Sequence, residues 1–179
     1  MKYYLALFVV LNQFLFLSQT NFQLTNAVVI GQFDKPEDRF SIEITTTEIL
    51  SWQGIKAIPS LNLLKAGADS RLLATDSIKA LVRSKGFDTY IIVKVIGYDK
   101  RFKVSERKIT FDEALGFGSL FHLYRDEAES ISFEFSFFRN DQVVYREVIR
   151  CLSIADRNSV LKKFRKKLTK RVSKQWRKQ

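Results

Sequence analysis

The segment from Thr89 to Ile96 constrains the fold more than any other. Tyr90-Ile91-Ile92-Val93 is apolar and largely β-branched, and Val95-Ile96 continue the run after Lys94. A strand with apolar side chains on both faces has to be covered on both, which is how a central strand of an α/β sheet is built. Ala27-Val28-Val29-Ile30-Gly31-Gln32-Phe33 is a second run of this kind and ends in a turn. Asp34-Lys35-Pro36-Glu37-Asp38 then reads as a helix start. Asp is a capping residue, Pro suits the first turn, and acids complement the positive end of the helix dipole. The sequence predicts a helix from Phe40 to Trp52 that stops at Gly54. Phe40, Ile42 and Ile44 alternate and Thr45-Thr46-Thr47 is β-branched, so a strand over the same residues is the alternative.

Ile55-Lys56-Ala57-Ile58-Pro59 is a further strand, with Pro closing it or marking a sheet edge. A helix is expected from Thr75 to Gly86. Thr75 or Asp76 caps it, Ile78, Leu81 and Val82 share one face, and Gly86 ends it. The order strand-helix-strand-helix-strand, with short crossovers, suits a parallel sheet. Periodicity fades from Lys100 to Ser130, where the aromatic run Phe117 to Tyr124 reads as a strand or as a loop folded over the sheet. Ile131 to Phe137 alternates, with one apolar and one polar face. Asn140-Asp141 supplies a turn, and Val143 to Leu152 returns as the second strand of an antiparallel hairpin. The fold class is therefore α/β: a βαβαβ core, a C-terminal antiparallel hairpin and a closing basic amphipathic helix. At 179 residues one domain is expected, over residues 21–179.

The two ends differ in character. Residues 1–20 form a leader with one Lys, an apolar stretch and Asn12-Gln13 in its middle. One positive charge followed by a short apolar run fits a secretory signal peptide. A membrane span needs about 20 apolar residues, and this run has roughly 15. Cleavage is expected after Ser18 or Thr20, and an uncleaved amino-terminal anchor is the alternative. Residues 156–179 hold eleven Lys or Arg and one acid, a net of +10 out of the chain's +11. The basic balance thus belongs to one terminal element.

That element should be a helix capped by Asp156 and running to about Arg177. At 100° per residue, Leu161, Phe164, Leu168, Val172 and Trp176 fall within an arc of roughly 120°. Lys162, Lys163, Lys166, Lys167, Lys170, Lys174, Arg177 and Lys178 point elsewhere, and Arg165 lies at the stripe's margin. Three uses of this pattern compete. The apolar stripe can cover the sheet and leave a merely solvated basic face. The basic face can contact an anionic surface such as phospholipid or an acidic partner, with roughly 1 kcal/mol per basic group near an anionic membrane. It can also contact nucleic acid, but an export leader argues against that partner.

Catalytic signatures are weak. His122 is the sole histidine, and a triad around it would need Ser119 or Cys151 as nucleophile, neither in a nucleophile turn. Cys151, the only cysteine, falls in an alternating strand and reads as a small buried hydrophobe. One His and one Cys do not make a zinc site. Gly116-Phe117-Gly118 lacks the Lys and Ser/Thr of a phosphate loop. Asp34, Glu37 and Asp38 can be read as an acidic pair after a strand, though helix-start electrostatics explains them more simply. No cofactor or metal is implied.

Four segments carry a resemblance: Val28 to Arg39, Gly54 to Ser60, Lys85 to Val93, and the hairpin Phe133 to Arg150. In their order the chain resembles small exported proteins of Gram-negative envelopes, many of them lipoproteins. Their α/β domain is similar to the amino-terminal domain of TolB and to the curli-secretion lipoprotein type. The resemblance implies a periplasmic or outer-membrane-peripheral location and a closing basic helix, and it brings no catalytic residues. This chain lacks the lipid-attachment Cys of that group. The expectation is an exported, non-enzymatic envelope interaction or assembly protein whose partner is an envelope protein or an anionic membrane surface. The sequence leaves the oligomeric state open.

Overall fold

A computed structural model describes residues 22–64, 68–98, 110–111 and 130–177. Its elements are β1 (Asn26–Gln32), α1 (Pro36–Trp52), β2 (Lys56–Pro59), α2 (Asp76–Ser84), β3 (Tyr90–Tyr98), β4 (Ser130–Arg139), β5 (Gln142–Leu152) and α3 (Arg157–Arg171). One five-stranded sheet runs in the order β2-β1-β3-β4-β5. β1 pairs in parallel with both β2 and β3, and β4 pairs antiparallel with β3 on one side and β5 on the other. The α/β class and the βαβαβ core followed by a hairpin and a basic helix are therefore what the chain adopts.

Periodicity explains the layering. Val29 of β1, Ile91 and Val93 of β3, and Phe133, Phe135 and Phe137 of β4 point to one side, where α1 and α3 cover them. Val28, Ile30, Tyr90, Ile92 and Phe138 point to the other, where Val82 of α2, Leu73, Phe87 and Phe111 complete a smaller core. Both faces of β3 are thus covered, as its continuous apolar run requires.

Local signals place the element ends. Gly54 and Gly86 take φ of 78° and 79° just past α1 and α2. Only Gly reaches that left-handed region without a Cβ penalty. Asn140 and Asp141 take φ of 50° and 62°, the conformation that a two-residue hairpin turn needs to match strand twist.

Four details differ from the sequence reading. The residue preceding α1 is Lys35, whose side chain makes no capping bond, so Asp34 is not the cap and Pro36 starts the helix unaided. Thr75 precedes α2, but its hydroxyl donates to the Leu72 carbonyl and not to a helix N–H. In α2 only Val82 is buried, and Leu81 is exposed. The polar face of β4 is buried along with its apolar face. There Lys94 pairs with Glu134 at 3.4 Å, Ser136 donates to Glu134 at 3.0 Å, and Arg150 donates to Ser130 at 3.1 Å. Hydrogen bonding lets such groups leave water. The leader, the Phe117 to Tyr124 run, His122, Ser119 and Gly116 to Gly118 lie outside the described residues.

Candidate functional site

Helix α3 begins at a reciprocal cap. The Asp156 carboxylate accepts from Ser159 N–H at 2.7 Å, and the Ser159 hydroxyl is 3.0 Å from the Asp156 backbone N. Two of the N–H groups that every helix leaves open at its start are satisfied this way. The apolar stripe then enters the core. Phe164, Leu168, Val172 and Trp176 are fully buried, Leu161 is partly buried, and Val160 joins them. Phe164 meets Phe133 edge-on at 4.8 Å, and Trp176 meets Phe137 at 4.8 Å and Phe135 at 5.2 Å. After Arg171 the helix widens into one π turn, Val172–Trp176. The buried Trp176 indole N–H donates to Glu147 at 2.6 Å.

Both flanks of α3 are tied down as well. Towards β5, Lys163, Lys167 and Arg171 recur every fourth residue, one above the other on a helix surface. Lys163 donates to the carbonyls of Leu152 and Ser153, and Lys167 donates to the Arg150 carbonyl at 2.6 Å. Arg171 pairs with the buried Glu147 at 2.9 Å. β5 is the outermost strand on its side of the sheet, and unpaired edge groups invite association with other chains. Two lysines thus cover carbonyls at its carboxyl end. Towards α1, Arg165 pairs with Glu48 at 3.0 Å and its guanidinium lies 5.6 Å from the Trp52 ring centre. Arg157 pairs with the buried Asp38 at 2.8 Å and donates to Ser41 at 2.6 Å.

What remains is the outward side. Lys162, Lys166, Lys170, Lys174 and Arg177 are exposed, and among the described residues none pairs with an acid. Lys162 to Lys174 span twelve residues, a row of about 18 Å at the rise of a helix. Of the eight basic residues expected to form an anionic contact, the structure brings these five together. It assigns Lys163 and Lys167 to structural bonds with β5, which corrects their place in the set. Lys178 lies outside the described residues.

A second polar cluster sits where β1 and β2 end. The Glu43 carboxylate is fully buried. It accepts from Gly31 N–H at 2.9 Å, Ser60 Oγ at 2.6 Å, Leu61 N–H at 3.2 Å and Arg39 at 2.9 Å. Four donors on one buried carboxylate compensate its lost hydration. Sequence reasoning missed this cluster. Its one local sign was the four-residue spacing of Arg39 and Glu43, which is also common on exposed helix faces.

The catalytic alternatives fare as follows. Asp38 is held by Arg157, and Glu37 and Asp34 are exposed at the start of α1. Cys151 is buried in β5, and burial pushes its thiol up to about 11, against the opposing pull of Lys167 and Lys163. It is therefore protonated at neutral pH and does not supply the thiolate that cysteine chemistry needs. Burial, and then the neighbouring Glu147, also raises the Tyr145 phenol. Among the described residues no group of three His, Cys, Asp or Glu is placed to hold a metal ion. Among them, too, no helix is long and apolar enough to cross a membrane.

No family model matches the chain, and no curated protein matches it. Among solved structures it is similar to the PelC dodecamer from Paraburkholderia phytofirmans. That match has 16% identity and a TM-score of 0.46 over 88% of this chain and 90% of that one. A PelC variant from the same organism gives 14%, 0.46, 87% and 90%. Lipoprotein GNA1162 from Neisseria meningitidis gives 11% identity and a TM-score of 0.43 over 83% of this chain and 98% of that one. At these scores the likeness carries neither a function nor a partner across.

Proposed function

We propose that this chain is an exported, non-enzymatic interaction protein of the cell envelope, and that the outward face of α3 is its contact for an anionic partner. One observation carries the contact. Lys162, Lys166, Lys170 and Lys174 stand in an exposed row without acidic partners among the described residues, on a helix whose other sides are anchored. Anchoring matters because a fixed row presents several charges to one surface without first ordering a flexible chain. Bonds to β5 account for Lys163 and Lys167 but leave four further cations in line without such a use.

Export is supported by the leader at residues 1–20. The non-enzymatic reading is supported by Asp38, Glu43, Glu147 and Cys151, each held in a structural role. The test replaces Lys162, Lys166, Lys170 and Lys174 by Gln. Binding to polyglutamate or to phosphatidylglycerol vesicles should fall steeply with salt in the parent and disappear in the variant, with the thermal midpoint unchanged. A parent protein that binds neither at low salt would overturn the contact. Fractionation that leaves the native protein in the cytosol would overturn the location.

A further inference from the structure

Helix α1 packs beside α3 and leaves two aromatic residues, Phe40 and Trp52, open to solvent. Its inward half buries Ile42, Glu43, Thr46, Ile49 and Leu50. On the outward half, Phe40 is 57% exposed and Trp52 is 68% exposed. Trp is rarely left this open unless something covers its ring. Trp52 sits beside Arg165, which lies between Lys162 and Lys166 of the row: the guanidinium is 5.6 Å from its ring and bonds Glu48 one turn earlier on α1. The α1–α3 layer therefore presents the exposed Trp52 ring beside a line of lysines that, among the described residues, pair with no acid, with Phe40 exposed about three turns earlier on α1. Of the acids of these two helices and their caps, Asp38 and Glu43 are buried and Asp156 is used in capping α3. Glu48 is neutralised by Arg165, and Glu37 sits at the start of α1, away from Trp52.

Resting on the anionic-contact reading above, we infer that the occupant of this layer is the surface of an anionic phospholipid bilayer. Trp52 and Phe40 would enter the headgroup region, and Lys162, Lys166, Lys170 and Lys174 would meet the phosphates. Aromatic rings settle at the membrane–water boundary, where their apolar body and polar edge are both satisfied. Lysines beside them add attraction to anionic lipid that fades within a Debye length. An acidic protein would be drawn by the same lysines and would also cover an aromatic ring, and the vesicle and polyglutamate arms of the test separate the two.

The chain has two tryptophans, and the other, Trp176, is fully buried. Intrinsic fluorescence therefore reads Trp52 almost alone on any surface event. The protein as recovered from cells is titrated with vesicles of equal parts phosphatidylglycerol and phosphatidylcholine, and with pure phosphatidylcholine. With the anionic vesicles, emission should shift to the blue and Trp52 should become shielded from an aqueous quencher. A Trp52→Phe variant, which keeps Trp176, should show neither change. Trp52→Ser and Phe40→Ser should each weaken binding about tenfold while leaving its salt dependence intact. The four-lysine variant should fail to bind at any salt concentration.

Salt-dependent vesicle binding with Trp52 unmoved, and with Trp52→Ser binding as the parent does, would overturn this inference and leave the anionic contact standing. Binding to polyglutamate but not to vesicles would overturn it in favour of an acidic protein. Binding to neither would remove both readings.

Discussion

Helices α1 and α3 lie side by side on the same face of the sheet, yet they are patterned in opposite senses. α3 sends Phe164, Leu168, Val172 and Trp176 inward and keeps lysines out. α1 sends Asp38, Glu43, Thr45 and Thr46 inward with its aliphatic residues, and leaves Phe40 and Trp52 in solvent. The contrast shows that the inner face of a helix can be held by polar bonds as well as by apolar packing. α3 is held by buried area, which is non-directional and roughly additive. α1 is held in part by the Glu43 carboxylate, which finds four donors, and by the Asp38–Arg157 pair, and both depend on geometry.

Substitutions can break that contrast. Phe164→Ala removes a ring packed against Phe133 and should cost about 3–5 kcal/mol, whereas Phe40→Ala in α1 should change stability by less than about 0.5 kcal/mol. Urea unfolding of both variants checks the pair, and equal losses would mean that the two helices are held alike. Next in size, Glu43→Gln keeps the volume of the buried side chain but loses its charge and one acceptor. It should cost about 1–3 kcal/mol, read in the same experiment. A neutral result would show that α1 is held by its aliphatic contacts alone. The smallest effect is expected at the start of α3. Asp156→Ala leaves the Ser159 N–H without its acceptor and should cost about 1 kcal/mol, seen as a lower thermal midpoint and faster amide exchange in the first turn.

Much of the architecture was legible in the residues. The continuous apolar run of β3 demanded cover on both faces, and it has it. Asn140-Asp141 announced the hairpin, and the stripe from Leu161 to Trp176 announced the docked helix. The site was legible only in outline. Sequence alone put Lys163 and Lys167 with the other cations, because a helical projection gives direction but not what lies there. Both point at the carbonyls of β5, a strand placed beside α3 by the pairing of β4 with β5. The same limit hid Trp52, which ends α1 just before Gly54 and carries no pattern of its own.

The amino-acid sequence by itself determined the order of the elements, their turns, the cap of α3 and its two-sided character. These depend on backbone preferences and on spacing along one segment, which neighbouring residues settle among themselves. The tertiary structure alone decided which polar groups are buried at Glu43, Glu134 and Glu147, which lysines are used in holding the fold, and which remain open to a partner. Those outcomes depend on groups far apart in the chain whose contacts exist only once the sheet and both helices have come together.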